Sequence, residues 1–175
     1  MYPARVPQIG EPLLKLTNLT VKHAVFSDRV IINNASMEVR RGEIVGLAGV
    51  SGNGQSELLQ ALSGEDRRAA ATSITLLGQP MGRRGPARRR AAGLHFVPEE
   101  RLGRGAVPTL GLAQNLMLTR TDAVGRSGWI RLGALEQQAK DIIARFNVKT
   151  GGPHAAAKSL SGGNLQKFIV GREIS

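Results

Sequence analysis

Apolar and polar positions alternate near the start of the chain. Leu14, Leu16, Leu19 and Val21 mark residues 13–22 as a strand with one buried face, in the manner of an edge strand. A second strand is expected over 35–39, ended by the turn Arg40, Arg41, Gly42. Residues 43–48 are apolar on both faces, which predicts a buried strand. The spacing then turns helical over 56–63, with Gly64 as its stop, and 74–77 forms a short apolar strand closed by Gly78. Residues 93–97 read as a further buried strand, stopped by Pro98. Between these last two lies a run with Arg83, Arg84, Arg88, Arg89 and Arg90 around Pro86, expected as a solvated helix face. The order strand, loop, helix, strand, helix, strand predicts an α/β layer.

From Val107 the pattern changes. Leu112, Asn115, Leu116 and Leu118 have helical spacing, and 121–131 reads as a polar loop holding the one Trp, Trp129. Residues 135–146 predict an amphipathic helix with Ile142, Ile143 and Phe146 inward. Trp129 and Phe146 are expected as core or shielding aromatics. A loop with Gly151, Gly152 and Pro153 precedes a last helical run over 168–174. The second half is therefore mostly helical.

Composition narrows the function classes. The chain has 175 residues, 41% of them hydrophobic, enough for one domain with a sizeable core. No apolar run approaches a membrane span, and the proline-punctuated start lacks the apolar block of a signal peptide, so a cytoplasmic location is expected. There are no cysteines, hence no disulfide or thiolate site, and His23, His95 and His154 have no metal-ligand spacing. A net charge of +11 suits nucleic acid, anionic lipid or polyphosphate, but aromatic residues at 3% leave few stacking platforms for single strands.

Two glycine turns carry candidate chemistry. Gly49, Val50, Ser51, Gly52, Asn53, Gly54, Gln55 and Ser56 lie between an apolar run and a helical one. This is the layout of a P-loop, in which backbone N–H groups and a helix N-terminus surround phosphate oxygens. Both glycines and the closing hydroxyl of that pattern are in place, but Gln55 stands where it calls for Lys. The second turn is Ser161, Gly162, Gly163, ahead of a helix. It reads either as an ordinary N-cap or as a second anion site, with a hydroxyl, a glycine N–H and a positive helix end facing a terminal phosphate.

At this point the chain resembles the ATP-binding cassettes of ABC transporters. Leu160, Ser161, Gly162, Gly163, Asn164, Leu165, Gln166 and Lys167 are similar to the family's signature motif, in the form found in simple-sugar and nucleoside importers with two fused cassettes. Val97, Pro98, Glu99, Glu100 and Arg101 resemble a segment of the second of those cassettes. The resemblance implies a P-loop NTPase-like α/β core with an antiparallel β edge and a mostly helical subdomain. It divides the chain into a linker or arm (1–12), the core (13–106), the helical subdomain (107–160), and the signature with its helix (161–175).

The resemblance also assigns roles. Positions 49–56 would hold the phosphates of ATP, with Ser56 as a Mg²⁺ ligand and Glu57 opening the helix. Phe26 would lie against adenine. Glu99 takes the place of the family's Gln beside the metal and could reach Mg²⁺ as a carboxylate. Residues 98–111, from Pro98 to Gly111, would meet a transmembrane permease at the cytoplasmic face of the membrane. Ser161 and Gly163 would reach the γ-phosphate held by a second, head-to-tail cassette, and no nucleic acid is expected.

Two departures bear on mechanism. Gln55 offers a neutral amide where the family has an ammonium. The family's Walker B Asp and catalytic Glu lie after the signature, and this sequence has no apolar strand ending in Asp-Glu, so it reads as a cassette cut before Walker B that does not hydrolyse ATP alone. Two other readings compete. Gly49, Gly52 and Gly54 could be a dinucleotide fingerprint of an oxidoreductase, but 76–79 offer no acid for the ribose. The charge and the arginine run could also mark a nucleic-acid-binding module.

Overall fold

β1 (Pro12–Lys22) carries the expected alternation into an antiparallel ladder with β2 (Val30–Arg40) on one side and β3 (Ile74–Leu76) on the other. A short β4 (Gln79–Pro80) completes a four-stranded sheet in the order β2-β1-β3-β4. β1 is thus an inner strand and not an edge. Positive φ at Asn18 and Asn34 accompanies the irregular β1/β2 register, and the Ser36 hydroxyl and Thr20 hydroxyl accept the N–H groups of those two asparagines. This computed structural model describes residues 8–23, 29–119, 125–126 and 129–175; Phe26 and the Trp129 side chain lie outside them.

The chain divides into two compact units, Met1–His95 and Phe96–Ser175. In the first, α1 (Gln55–Ser63) turns Ala61 toward Leu16, Leu19 and Val21 of β1, Ile32 of β2, and Ile74 and Leu76 of β3, all buried. Each such side chain contributes about 1.5–3 kcal/mol on leaving water, apart from the smaller alanine. α2 (Pro86–Ala91) opens with proline at its first position, where no intrahelical N–H bond is lost.

The second unit packs α3 (Leu112–Leu116), α4 (Leu132–Arg145) and α5 (Gly162–Ile174) around Leu112, Leu116, Leu135, Ala139, Ile142 and Phe168. Phe146 is partly buried against this cluster, as its spacing suggested. Gly171 lets α4 and α5 approach closely: a Cβ there would stand 2.7 Å from both Ile142 and Phe146. A single 3₁₀ turn (Ala157–Ser159) leads into α5, and a two-residue ladder joins β5 (Gly125–Arg126) to β6 (Trp129–Ile130).

Three further expectations are corrected. Residues 43–48 are not a strand: they pair with nothing among the described residues, and Ile44 is 97% exposed. The same holds for 93–97, where Val97 is exposed. An apolar run on both faces states a need for cover, but a strand forms only where a neighbouring backbone takes up its N–H and C=O groups. The arginine run is not uniformly solvated either, because Arg89 is 1% exposed.

Candidate functional site

The first glycine turn ends at Gly54, which has φ +96° and packs against Ile31 and Ile32 of β2. Among the described residues no side chain caps α1, and its first backbone bond runs from the Leu58 N–H to the Gly54 carbonyl. Helix geometry leaves the N–H groups of Gln55, Ser56 and Glu57 without intrahelical acceptors. Gly52 is also left-handed, at φ +89°, and the Asn53 N–H closes a turn on the Val50 carbonyl at 3.2 Å. Ser51, Gly52, Asn53 and Ser56 are exposed. Free N–H groups, a positive helix end and an exposed hydroxyl make a cradle that fits a phosphate group.

Gln55 occupies this cradle from its own side. Its Nε2 donates to the Val50 carbonyl at 3.1 Å, so the amide staples the loop to itself. A Cβ at Gly49 would meet the same Nε2, so a side chain there would displace the Gln55 amide from Val50.

The second turn begins at Ser161, in extended conformation directly before α5. Its Oγ accepts a hydrogen bond from Asn164 Nδ2 at 2.9 Å, which leaves the hydroxyl proton able to donate elsewhere. Asn164 Oδ1 in turn accepts the Lys149 N–H at 3.0 Å, and Lys167 Nζ donates to the Asn147 carbonyl at 3.3 Å. Asn164 and Lys167 are therefore tied to the loop ahead of the turn. Leu165 is buried and Leu160 half-buried, so both pack, while Ser161, Gly162, Gly163 and Gln166 present the exposed surface. Arg101 reaches this helix end and donates from Nη1 to Gln166 Oε1 at 3.2 Å.

Ser56 and Glu57 belong to the first unit. Glu99, exposed, and the whole signature turn belong to the second. Among the described residues no group of three or more His, Asp or Glu side chains is arranged to hold a metal ion.

Two residues escaped the sequence reading. Asn115 is fully buried; its Nδ2 donates to the Val107, Leu110 and Gly111 carbonyls, and its Oδ1 accepts the Val107 N–H at 2.8 Å. The signal was present, since Asn115 is the polar member of an apolar helical stripe and its amide had to be satisfied. Arg89 bonds only backbone carbonyls, and burial lowers the pKa of its guanidinium from the ordinary value. Nothing in the arginine run distinguishes it from its neighbours.

The dinucleotide reading fails on the residues after α1. It needs an acid at the end of the strand after α1 to hold the ribose, and neither β3 (Ile74–Leu76) nor the turn after it carries an Asp or Glu.

Comparison with known proteins agrees with the geometry. The ABC transporter family model matches residues 32–175. The xylose import ATP-binding protein XylG of Burkholderia cenocepacia is 35% identical over 172 residues, 98% of this chain and 33% of that protein. The guanosine import ATP-binding protein NupO of Bacillus subtilis is 34% identical over 172 residues, 97% of this chain and 33% of that one. The chain thus spans about one third of the length of these relatives. Among solved structures, a dimeric bacterial ABC transporter cassette superposes with a TM-score of 0.69 at 18% identity, over 93% of this chain and 69% of that one. The fold is that of a P-loop NTPase-like partial cassette, and no helix among the described residues is long and apolar enough to cross a membrane. With the family model covering most of its length, the chain belongs to the ABC transporter family.

Proposed function

We propose that this chain is a nucleotide-holding part of an importer for a simple sugar or nucleoside, working with a second cassette and a permease. The observation that carries this is the uncapped α1 N-terminus behind two left-handed glycines, with Ser56 exposed at its first turn. Residues 49–56 hold the phosphates of ATP through backbone N–H groups, and the Ser56 hydroxyl is the side chain of this unit suited to Mg²⁺. Bound Mg²⁺ would neutralise phosphate charge. Gln55 supplies a neutral donor only, so the loop holds nucleotide better than it stabilises the added charge of a transition state.

Ser161, Gly162 and Gly163 form the complementary surface, offered to the terminal phosphate of a nucleotide held by a facing cassette. The relatives' names support the substrate class, and the solved dimeric cassette supports the pairing. Residues 98–111 are the segment we assign to the permease, which places the chain at the cytoplasmic face of a membrane.

The test is calorimetric titration of the chain with ATP, with Mg²⁺ and with EDTA in its place. Binding tighter in Mg²⁺ is expected. Ser56→Ala should reduce the affinity in Mg²⁺ toward that measured in EDTA. No ATP binding in either condition would refute the reading.

A further inference from the structure

We infer that Arg89 is a positioning residue for the phosphate cradle, acting through α1 from the end opposite the nucleotide. This rests on the reading of residues 49–56 as an ATP site. Arg89 is a buried cation whose described hydrogen bonds all go to backbone oxygens. Nη1 donates to the carbonyls of Ala61 and Leu62, the latter at 2.7 Å; Nη2 donates to Met81 at 2.8 Å and Gly82 at 3.2 Å; Nε donates to Arg84 at 2.8 Å.

The first two acceptors are C-terminal carbonyls of α1, groups that a helix end leaves without intrahelical donors. The other three belong to the turn between β4 and α2. One rigid planar fork therefore ties the end of α1 to a neighbouring turn. Gly64, the left-handed residue that stops α1, is pressed onto the same group: a Cβ there would stand 2.8 Å from both Arg89 Nε and the Arg84 carbonyl. The helix end has no slack.

α1 has nine residues, about 13 Å from end to end, and its N-terminus supplies the N–H groups of the cradle. A clamp that fixes its C-terminal carbonyls fixes where those N–H groups stand. It also sets a positive charge at the negative end of the helix dipole, so the positive end facing the phosphates is left uncancelled. In a site without the P-loop lysine, donor placement carries more of the binding.

Arg89→Lys tests this, because an ammonium keeps the charge but cannot span five carbonyls. It is expected to bind a non-hydrolysable ATP analogue about five-fold more weakly, one modest hydrogen bond's worth. Without nucleotide, its α1 amides should exchange hydrogen faster. Leu76→Ala serves as control, since it opens the same core without touching the clamp; it should lower the melting temperature at least as much and leave affinity within two-fold.

Unchanged affinity in Arg89→Lys, or an equal loss in Leu76→Ala, would overturn the inference. Should Arg89→Lys not fold, Arg89→Gln, which keeps two donors but shortens their reach and drops the charge, is expected to give at least the same loss. Wild-type affinity there would also overturn it. If the unsubstituted chain binds no analogue, the nucleotide reading falls and the role of Arg89 with it.

Discussion

Replacing Gln55 with Lys is expected to tighten ATP binding by roughly ten-fold, the opposite of what most substitutions in a binding loop do. The Gln55 amide bonds the Val50 carbonyl at 3.1 Å, so its donor already lies against the backbone of the same loop. As a neutral donor it offers about 1 kcal/mol; a charge-assisted bond from an ammonium offers roughly 1.5–3. The difference of roughly 0.5–2 kcal/mol corresponds to about two- to thirty-fold in affinity. Calorimetric titration of Gln55→Lys and Gln55→Leu with ATP and Mg²⁺ checks it. The order Lys, Gln, Leu from tight to weak is the expected result, and a lysine variant no tighter than the native chain would show that the amide does not face the phosphates.

Much of this site was legible because its chemistry is local. Glycines at fixed offsets before a helical run permit the left-handed turn seen at Gly52 and Gly54, and a serine with two glycines marks the start of a second helix, where Ser161 is extended and the glycines enter α5. The β1 alternation was equally direct, since one buried face writes itself as a period of two. Cover and partnership were not legible. Residues 43–48 show the apolarity of a buried strand, yet a sequence pattern does not say which backbone lies alongside, and in this structure none of the described ones does. β1 read as an edge for the same reason: its alternation is indifferent to whether one ladder or two flank it.

Arg89 and Asn115 were hidden differently. Both satisfy backbone carbonyls, and those acceptors exist at every position of every sequence. Asn115 could have been suspected from its place in an apolar stripe. Arg89 could not, because four other arginines surround it with the same local pattern.

The largest stability effect is expected in the second unit, at Arg172. Its guanidinium, 3% exposed, donates from Nε to Glu173 Oε1 at 3.0 Å and from Nη1 to the Asn115 carbonyl at 3.1 Å, so it joins α5 to the end of α3. Glu173 is itself 2% exposed. Arg172→Met keeps much of the volume but withdraws the cation from a buried carboxylate and the donor from a buried carbonyl. Breaking such a pair from one side costs about 3–5 kcal/mol, a large share of the roughly 5–15 kcal/mol that holds a domain of this kind together. Removing both charges in Arg172→Met/Glu173→Leu should recover most of that loss, since apolar side chains of similar size often replace a buried pair at little cost. Urea unfolding followed by the fluorescence of Trp129, the one tryptophan and a residue of this unit, distinguishes the two variants. A single variant as stable as the native chain would show that the pair contributes nothing, and a double variant no better than the single would place the cost outside the Arg172–Glu173 pair.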